Sequence, residues 1–300
     1  MTMTHRKAVA TMVLVTLLWS IAGVATRHLQ SAAAFEVTFW RSSANALALG
    51  LLLGWQMGYG ALWRAIRQGG PLLWWSGLCW AVMFTAFMVA MTLTTVANVL
   101  ITMSLAPMFT ALISRFTLGQ RLPARTWVAI VLAGAGIAWM YGSQLGAAKT
   151  SLLGTLVSLT VPMGGSAMWA LAQHNARQHP DDKLDMTPAV LIGAVISALV
   201  TLPLSVPFVA TGHDVALLVM LGVVQLAIPC VLAVSASRVL KAPEAALLGL
   251  LEILFGVAWT WLGTSEVPTP AVIGGGSLVL AALAGNELLA LLGKRAAPKA

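Results

Sequence analysis

The feature that most constrains this sequence is a series of apolar runs, each about 20 residues long, that recurs along the chain. A helix of that length crosses the hydrocarbon core of a bilayer. Strands that span a membrane alternate apolar and polar residues, whereas these runs are apolar on every side. Charged residues make up only 9% of the chain, which is too few to cover the surface of a soluble domain. The sequence therefore predicts an all-α polytopic membrane protein.

We predict ten transmembrane helices, joined by connections too short to hold a soluble domain. Their expected positions are residues 8–26, 35–55, 72–91, 96–116, 125–143, 152–172, 187–209, 215–236, 243–264 and 271–292. The net charge of +8 could suggest nucleic-acid binding, but the basic residues lie singly or in small groups between the apolar runs. The expected surroundings are therefore a lipid bilayer, with no nucleic-acid partner.

The distribution of basic residues predicts the orientation, because lysine and arginine resist translocation and are enriched in cytoplasmic loops. With ten helices and a cytoplasmic N-terminus, every Lys and Arg falls on the inner side except Arg27, Arg41 and Lys149. One helix more or fewer would invert all later loops and remove this asymmetry. We therefore expect both termini to be cytoplasmic.

The two halves of the chain resemble each other. Trp19 and Trp169 lie 150 residues apart, and each precedes an arginine by eight residues. We therefore predict a first five-helix repeat over residues 1–146 and a second over residues 147–300. Because five is an odd number, the second repeat is inverted, as in alternating-access transporters that hold substrate near the midplane. Chance similarity between Leu-, Ala- and Gly-rich helices is the alternative interpretation.

Short motifs give the chain a resemblance to a known family. They are the Leu-Trp-Ser and Trp-Ala openings of the two halves, the segment Phe39-Trp40-Arg41, and Pro107 followed by Leu118-Gly119-Gln120-Arg121-Leu122. With five plus five helices, the chain resembles the drug/metabolite transporter superfamily, specifically its EamA-type members, and is most similar to the YddG-like amino-acid exporters. The resemblance covers essentially the whole chain and implies amino-acid export across a bacterial inner membrane. Gln120 and Ile253 stand where the family often has Glu and Pro.

Ionisable side chains inside a membrane helix are costly, so each needs an explanation. Glu252, near the middle of the ninth predicted helix, is a candidate proton site or partner for a substrate ammonium; a hydrogen-bonded structural carboxyl is the alternative. Glu244, one residue into the same helix, is a second candidate charge site, although interaction with the helix dipole explains it more simply. Arg41 is expected to reach the membrane interface or pair with Glu36, or else to line an outer vestibule. Asn45, four residues later, is expected to join helices by hydrogen bonds.

Aromatic and neutral polar residues provide a candidate substrate site. Two tryptophans occupy matching repeat positions, three residues of the third predicted helix form an aromatic and methionine face, and two amides lie inside later helices. Such a face accepts varied apolar side chains, while the amides suit a substrate's amino or carboxylate group. Plain packing and hydrogen bonding between helices explain the same residues. The candidates are Trp19, Trp80, Met83, Phe87, Asn98, Trp169 and Gln225.

The leading interpretation is a secondary transporter that exports small metabolites through a central cavity between the repeats. Export and the amino-acid class rest on the resemblance, and a drug or nucleotide-sugar carrier of the same fold is the main alternative. A phosphorylated cargo would require buried Lys or Arg near the midplane, and the sequence predicts none there. An intramembrane enzyme would need His, Asp or Cys clustered at one membrane depth, and the sequence predicts no such cluster. A structural subunit remains an alternative, but that role does not explain the inverted repeat. No nucleotide-binding, hydrolase or metal-ligand motif occurs, so no enzymatic activity, cofactor or metal is expected.

Overall fold

The computed structural model describes residues 3–26, 28–94, 96–119, 122–142, 152–178, 185–263 and 270–296. Over these residues the chain is helical apart from short connections, and it contains no strand. The predicted all-α class is therefore confirmed. In chain order the helices are α1 (His5–Trp19), α2 (Ile21–Thr26), α3 (Ala34–Met57), α4 (Tyr59–Gln68), α5 (Gly70–Leu93), α6 (Val96–Met103), α7 (Ala106–Leu118), α8 (Ala124–Tyr141), α9 (Leu152–Gln178), α10 (Thr187–Thr201), α11 (Gly212–Met220), α12 (Ile228–Ser237), α13 (Ala242–Gly249), α14 (Leu251–Gly263) and α15 (Pro270–Ala296), with a π-helical segment, Leu221–Ala227, between α11 and α12.

Each of the predicted apolar runs contains helix in the described part of the chain, but several are interrupted or shorter than expected. Five helical stretches are long and apolar enough to cross a membrane, and the bent pair formed by α3 and α4 would be a sixth. The five are His5–Thr26, Gly70–Ala90, Leu152–Arg177, Thr187–Leu204 and Gly212–Ser237. Two shorter stretches, Ala124–Met140 and Pro270–Asn286, are also apolar. These lengths and compositions identify a multi-pass membrane protein.

The fourth and ninth predicted helices are each broken in the structure. Between α6 and α7 the break falls at Ser104 and Leu105, and Pro107 in the first turn of α7 supplies no N–H to the preceding turn. Between α13 and α14 it falls at Leu250, whose N–H donates to the carbonyl of Leu247 at 3.1 Å. Broken helices within a membrane occur where they face protein or a water-filled cavity, because lipid cannot satisfy the freed backbone groups.

Helix α4 lies where the sequence analysis placed only a connection. It meets α3 at 107°, and Gly58 between them has a φ of +82°, a backbone conformation that favours glycine. Leu62 is buried, whereas Trp63 is exposed and the guanidinium of Arg67 stacks over its ring at 6.0 Å. The helix is short and carries charge, so a search for long apolar runs does not find it.

The seventh predicted helix ends earlier than expected. The prediction placed its end at residue 209, but α10 ends at Thr201 and only a 3-10 turn, Leu202–Leu204, follows. Residues 205–211 are not helical. Two prolines, Pro203 and Pro207, follow Thr201. Because proline removes a backbone donor and fixes φ, they favour the end of the helix here. The non-helical segment is bound by acidic side chains described below.

Helices from the two halves of the chain pack directly against each other. Helix α5 packs on α9 and α10, α3 on α10 and the π segment, α1 on α12, and α8 on α15. The largest apolar core lies where α1, α3, α5, α9, α10, α12 and α13 converge. A second core joins α8 and α15 to parts of α7, α13 and α14. The interior is therefore formed mainly by contacts between the halves.

Helices α8 and α15 approach closely because small residues face each other. A Cβ built on Gly136 would lie 2.7 Å from the backbone carbonyl oxygen of Gly275. Such a contact between backbones allows only glycine, as in other small-residue helix interfaces within membranes. Gly134, on the same helix, has nothing within 4 Å of its added Cβ.

We expect Gly136→Ala to lower the stability of the protein by about 1–3 kcal/mol, the usual cost of overpacking a fitted interior. The matched control is Gly134→Ala, which adds the same methyl group to open space and should leave stability unchanged or slightly higher. Thermal unfolding of the purified protein in detergent measures both effects. Equal unfolding temperatures for the two variants would contradict the close α8–α15 packing.

Candidate functional site

Arg41 lies inside the protein, not at the membrane interface. Its relative exposure is 2%, and it makes no ion pair with Glu36. The carboxylate of Glu36 instead accepts hydrogen bonds from the backbone N–H groups of Val209 and Ala210, at 3.0 and 2.9 Å, and from Nε1 of Trp40 at 3.3 Å. The expectation that Arg41 would snorkel or pair with Glu36 is therefore wrong. A buried cation is therefore present. The expected lack of a buried Lys or Arg can no longer be used to disfavour a phosphorylated cargo.

Three polar side chains in this region are buried with hydrogen-bonding atoms that have no partner among the described residues. They are Nε of Arg41, both Nδ2 and Oδ1 of Asn45, and Oε1 of Gln225. Arg41 and Asn45 are four residues apart on α3, so they lie on one face of that helix. Roughly 90% or more of buried polar groups in proteins are hydrogen-bonded. A group of unpaired ones indicates a site that a ligand or water completes.

Asn45 therefore departs from its expected role. Both its amide atoms would be engaged if it joined helices by hydrogen bonds, and neither is engaged within the described part of the chain. Its side chain is nonetheless fully buried. Burying an unsatisfied amide lowers stability, so the structure gives Asn45 no stabilising role.

The π segment brings Gln225 to this site. An added Cβ on Gly222 would lie 2.6 Å from the carbonyl oxygen of Arg41 and 3.0 Å from the backbone nitrogen of Asn45, so the segment packs directly on α3. Within one turn of that contact, Nε2 of Gln225 donates to the carbonyl oxygen of Trp19 at 3.2 Å. The break between α1 and α2 falls at Ser20, the residue after Trp19. Single π-helical turns are rare and often occur at functional sites.

Glu252 lies near Arg41 on a different helix. It is the second residue of α14, next to the break at Leu250, and it is partly buried. Its carboxylate is close enough to the guanidinium of Arg41 for the two groups to attract each other electrostatically. No ion pair within 4.0 Å joins Arg41 to Glu252 in the described residues. Two opposite charges are thus held near each other without direct contact.

The predicted aromatic residues only partly come together. Trp80 and Trp169 belong to the largest core, with Trp19 and Met83 packed against it. Phe87 belongs to a different cluster, with Met88 and Leu218 among others. The side chain of Asn98 lies outside the described part of the structure.

Glu244 lies at the start of α13, away from Arg41. Its Oε2 accepts from the backbone N–H of Lys241 at 3.3 Å, and its Oε1 lies 2.6 Å from Nε2 of His5. These contacts cap α13 and bind it to the first turn of α1, as the helix-dipole explanation anticipates. Glu244 and Glu252 belong to different helices, separated by the break at Leu250.

A second acidic residue, Asp214, closes the end of the protein opposite His5. Its fully buried carboxylate accepts from the backbone N–H groups of Gln30, Ser31 and Ala32 at 2.8–3.2 Å, and from that of Thr211 at 3.3 Å. Together with Glu36, it ties the α2–α3 connection to the segment before α11. We call this pair of carboxylates and their backbone donors the end clasp.

The sequence contains a signal for the end clasp that the prediction did not use. Thr211 and Asp214 form a capping box at the start of α11, in which Thr211 Oγ1 accepts from the N–H of Asp214 at 3.2 Å. The predicted helix began at residue 215, one residue too late to include the acid. The hydrogen bonds from the α2–α3 connection to Asp214 join residues more than 180 positions apart, so no local sequence pattern predicts them.

The opposite end of the protein carries a small open cleft. It lies between the end of α9, the start of α10 and the end of α12, and its lining includes Asn175, Met186, Ser237 and Arg238. Arg238 Nη2 donates to Oδ1 of Asp185 at 2.7 Å beside it. The protein is therefore closed by the end clasp at one end and carries an open cleft at the other.

Comparison with known proteins places these features in a family context. Residues 6–142 match the EamA-like transporter family. The chain is 28% identical over 254 residues to the pseudopaline exporter CntI of Pseudomonas aeruginosa, in strains UCBPP-PA14 and PAO1, which covers 83% of this chain and 84% of the relative. A protein of known crystal structure shares the fold, with a TM-score of 0.75 at 20% identity over 95% of this chain and 98% of that one.

We expect Asn45→Leu to leave the unfolding temperature unchanged or to raise it, because the substitution removes two buried atoms that lack partners. The matched control is Asp214→Leu, at another fully buried polar position. That variant strands several backbone donors, at about 1–3 kcal/mol each, and should unfold at a clearly lower temperature. A marked loss of stability in Asn45→Leu would show that its amide is structural.

Proposed function

We propose that this chain, whose residues 6–142 match the EamA-like transporter family, is a drug/metabolite transporter of that family and a secondary transporter exporting small metabolites. We further propose amino acids as the cargo, including aromatic and other apolar ones, and the inner membrane of a bacterium as its location. The export direction is supported by the similarity to the pseudopaline exporter CntI. The observation that carries the proposal is the group of unpaired polar atoms on Arg41, Asn45 and Gln225 inside an otherwise apolar interior.

An inverted repeat, with five helices in residues 1–146 and five in residues 147–300, is the proposed framework. Its support is a correspondence between contacts: α1 packs on α12 as α9 packs on α5, and α3 packs on the π segment as α10 packs on α5. In this framework the broken helices α6–α7 and α13–α14 would be equivalent, as the fourth helix of each half. Interrupted segments at equivalent positions are the best sequence-level pointer to a transporter's binding site.

The proposed transport cycle alternates the access of this central site between the two ends. The end clasp would close the outer side, and the cleft near Arg238 would be the inner entrance. On this basis the described conformation is closed to the outside. Opening outward would require the backbone donors of the α2–α3 connection to leave Asp214 and bond to water instead.

The apolar neighbours of the site suit varied side chains. Trp19, Trp80, Met83 and Trp169 are contributed by three different helices to one cluster. Methionine adapts its shape to different partners, and tryptophan supplies a large apolar surface. Broad selectivity among apolar cargoes is therefore expected.

We propose that the substrate gradient alone drives export. Among the described residues near mid-membrane depth, Glu252 is the acidic one, and a proton relay would need a second. An exporter working down a metabolite gradient needs no coupling ion.

Counterflow in proteoliposomes tests this function. Purified protein in vesicles loaded with unlabelled amino acids should take up labelled phenylalanine from outside, since a carrier exchanges substrate across the bilayer. An imposed pH gradient should not drive accumulation above the external concentration. Protein-free vesicles provide the background.

Two results would contradict the proposal in different ways. Absence of exchange with any amino acid would reject the amino-acid cargo. Uphill accumulation under a pH gradient would reject gradient-driven transport while leaving amino-acid export intact.

A further inference from the structure

Arg41 is a buried cation with no counter-charge in direct contact among the residues that the structure describes. Its guanidinium remains ionised in proteins at any ordinary pH, and its Nε has no hydrogen-bond partner in the described chain. A buried charge is retained only where something pairs with it. Glu252 interacts with Arg41 electrostatically, but the two make no ion pair within 4.0 Å.

The polar atoms around Arg41 divide by their hydrogen-bonding character. On the α3 side, Nε of Arg41 and Nδ2 of Asn45 are free donors. On the other side, the amide nitrogen of Gln225 is already bonded to the Trp19 carbonyl, which leaves its Oε1 as a free acceptor. The carboxylate of Glu252 adds further acceptors. Apart from Oδ1 of Asn45, which is also an unpaired acceptor on α3, the free donors stand on α3 and the acceptors on the π segment and α14.

We propose, as a refinement that rests on the proposed function, that this arrangement binds the zwitterionic head group of an α-amino acid. The carboxylate of the substrate bonds to Arg41 and Asn45, and its ammonium bonds to Gln225 and Glu252. The guanidinium is well suited to the first task, because its fork of donors matches the two oxygens of a carboxylate. The side chain of the substrate then lies against the cluster of Trp19, Trp80, Met83 and Trp169.

The separation of Arg41 and Glu252 makes the site selective for molecules with both charges. A substrate with only a carboxylate would place a negative charge near Glu252 with nothing between them. A substrate with only an ammonium would leave the Arg41 guanidinium buried and unpaired. A zwitterion satisfies both groups at once, and a site built to pair with a missing group discriminates strongly against the molecule that lacks it.

Within the described part of the chain, neither Cys230 nor Ser20 offers Arg41 a competing partner. The thiol of Cys230 is fully buried and is a weak hydrogen-bonding group. Ser20, at the nearby break in the first helix, donates to the carbonyl of Leu17 and accepts from Nε1 of Trp259. Neither is a charge that could replace the carboxylate of a substrate.

Competition during counterflow tests the proposal with the wild-type protein. Proteoliposomes exchange labelled phenylalanine while one of three unlabelled competitors is present: phenylalanine, phenethylamine, which lacks the carboxylate, or 3-phenylpropanoate, which lacks the ammonium. We expect the two single-charge analogues to compete at least 10-fold more weakly. Equal competition by either analogue would overturn the zwitterion site while leaving export in place.

Variants assign the two charges to their residues. Arg41→Gln should weaken phenylalanine competition and reduce the discrimination against phenethylamine, whereas Glu252→Gln should reduce the discrimination against 3-phenylpropanoate. Arg67→Gln, on the exposed face of α4, is the control and should alter neither ratio. These ratios compare ligands on one protein, so a loss of stability alone does not change them. Unchanged ratios in both site variants would overturn the assignment, and lack of phenylalanine exchange by the wild type would instead count against the proposed cargo.

Discussion

Hydrocarbon offers no hydrogen-bond partner, and this constraint organises the whole protein. Backbone groups must be paired within helices, so the membrane-embedded chain can only be helical, and any interruption must face protein or water. The break at Ser20 follows Trp19, whose carbonyl accepts from Gln225, and the break at Leu250 lies two residues before Glu252. The interior position of Arg41 obeys the same constraint. The unpaired atoms of Asn45 and Gln225 would otherwise be an unexplained cost. A site that is completed by substrate accounts for all of them.

Close backbone contact is what assembles that site. Gly222 lets the π segment lie directly on α3, which brings Gln225 beside the helix that carries Arg41. At the second core, Gly136 does the same for α8 and α15. The end clasp joins the segments that precede α3 and α11 through Asp214, using backbone donors that can bond to water once it opens. Rigid packing around the centre and replaceable hydrogen bonds at one end suit a protein that changes access without unfolding.

The sequence predicted the helical class and most helix positions, because long apolar runs leave few alternatives. It missed α4, because a short helix that carries charge resembles a connection between membrane spans. It also extended α10 past Thr201, into a proline-containing segment that is not helical. The largest error concerns Arg41, which lies only about 10 Å from the start of α3 and so suggests an interfacial position. Its burial depends on the segment around Gly222, some 180 residues away. A structural amide would have hydrogen-bond partners, and the amide atoms of Asn45 have none among the described residues. Whether a buried amide finds partners depends on how the helices pack, so local sequence does not show it.

The central claim is that substrate binds between α3 and α14 and joins the charges of Arg41 and Glu252. An experimental structure of the protein with bound phenylalanine tests this most directly. The account predicts substrate density with its carboxylate on Arg41 and Asn45 and its ammonium on Gln225 and Glu252. Density elsewhere, with Arg41 and Glu252 in direct contact with each other, would contradict it.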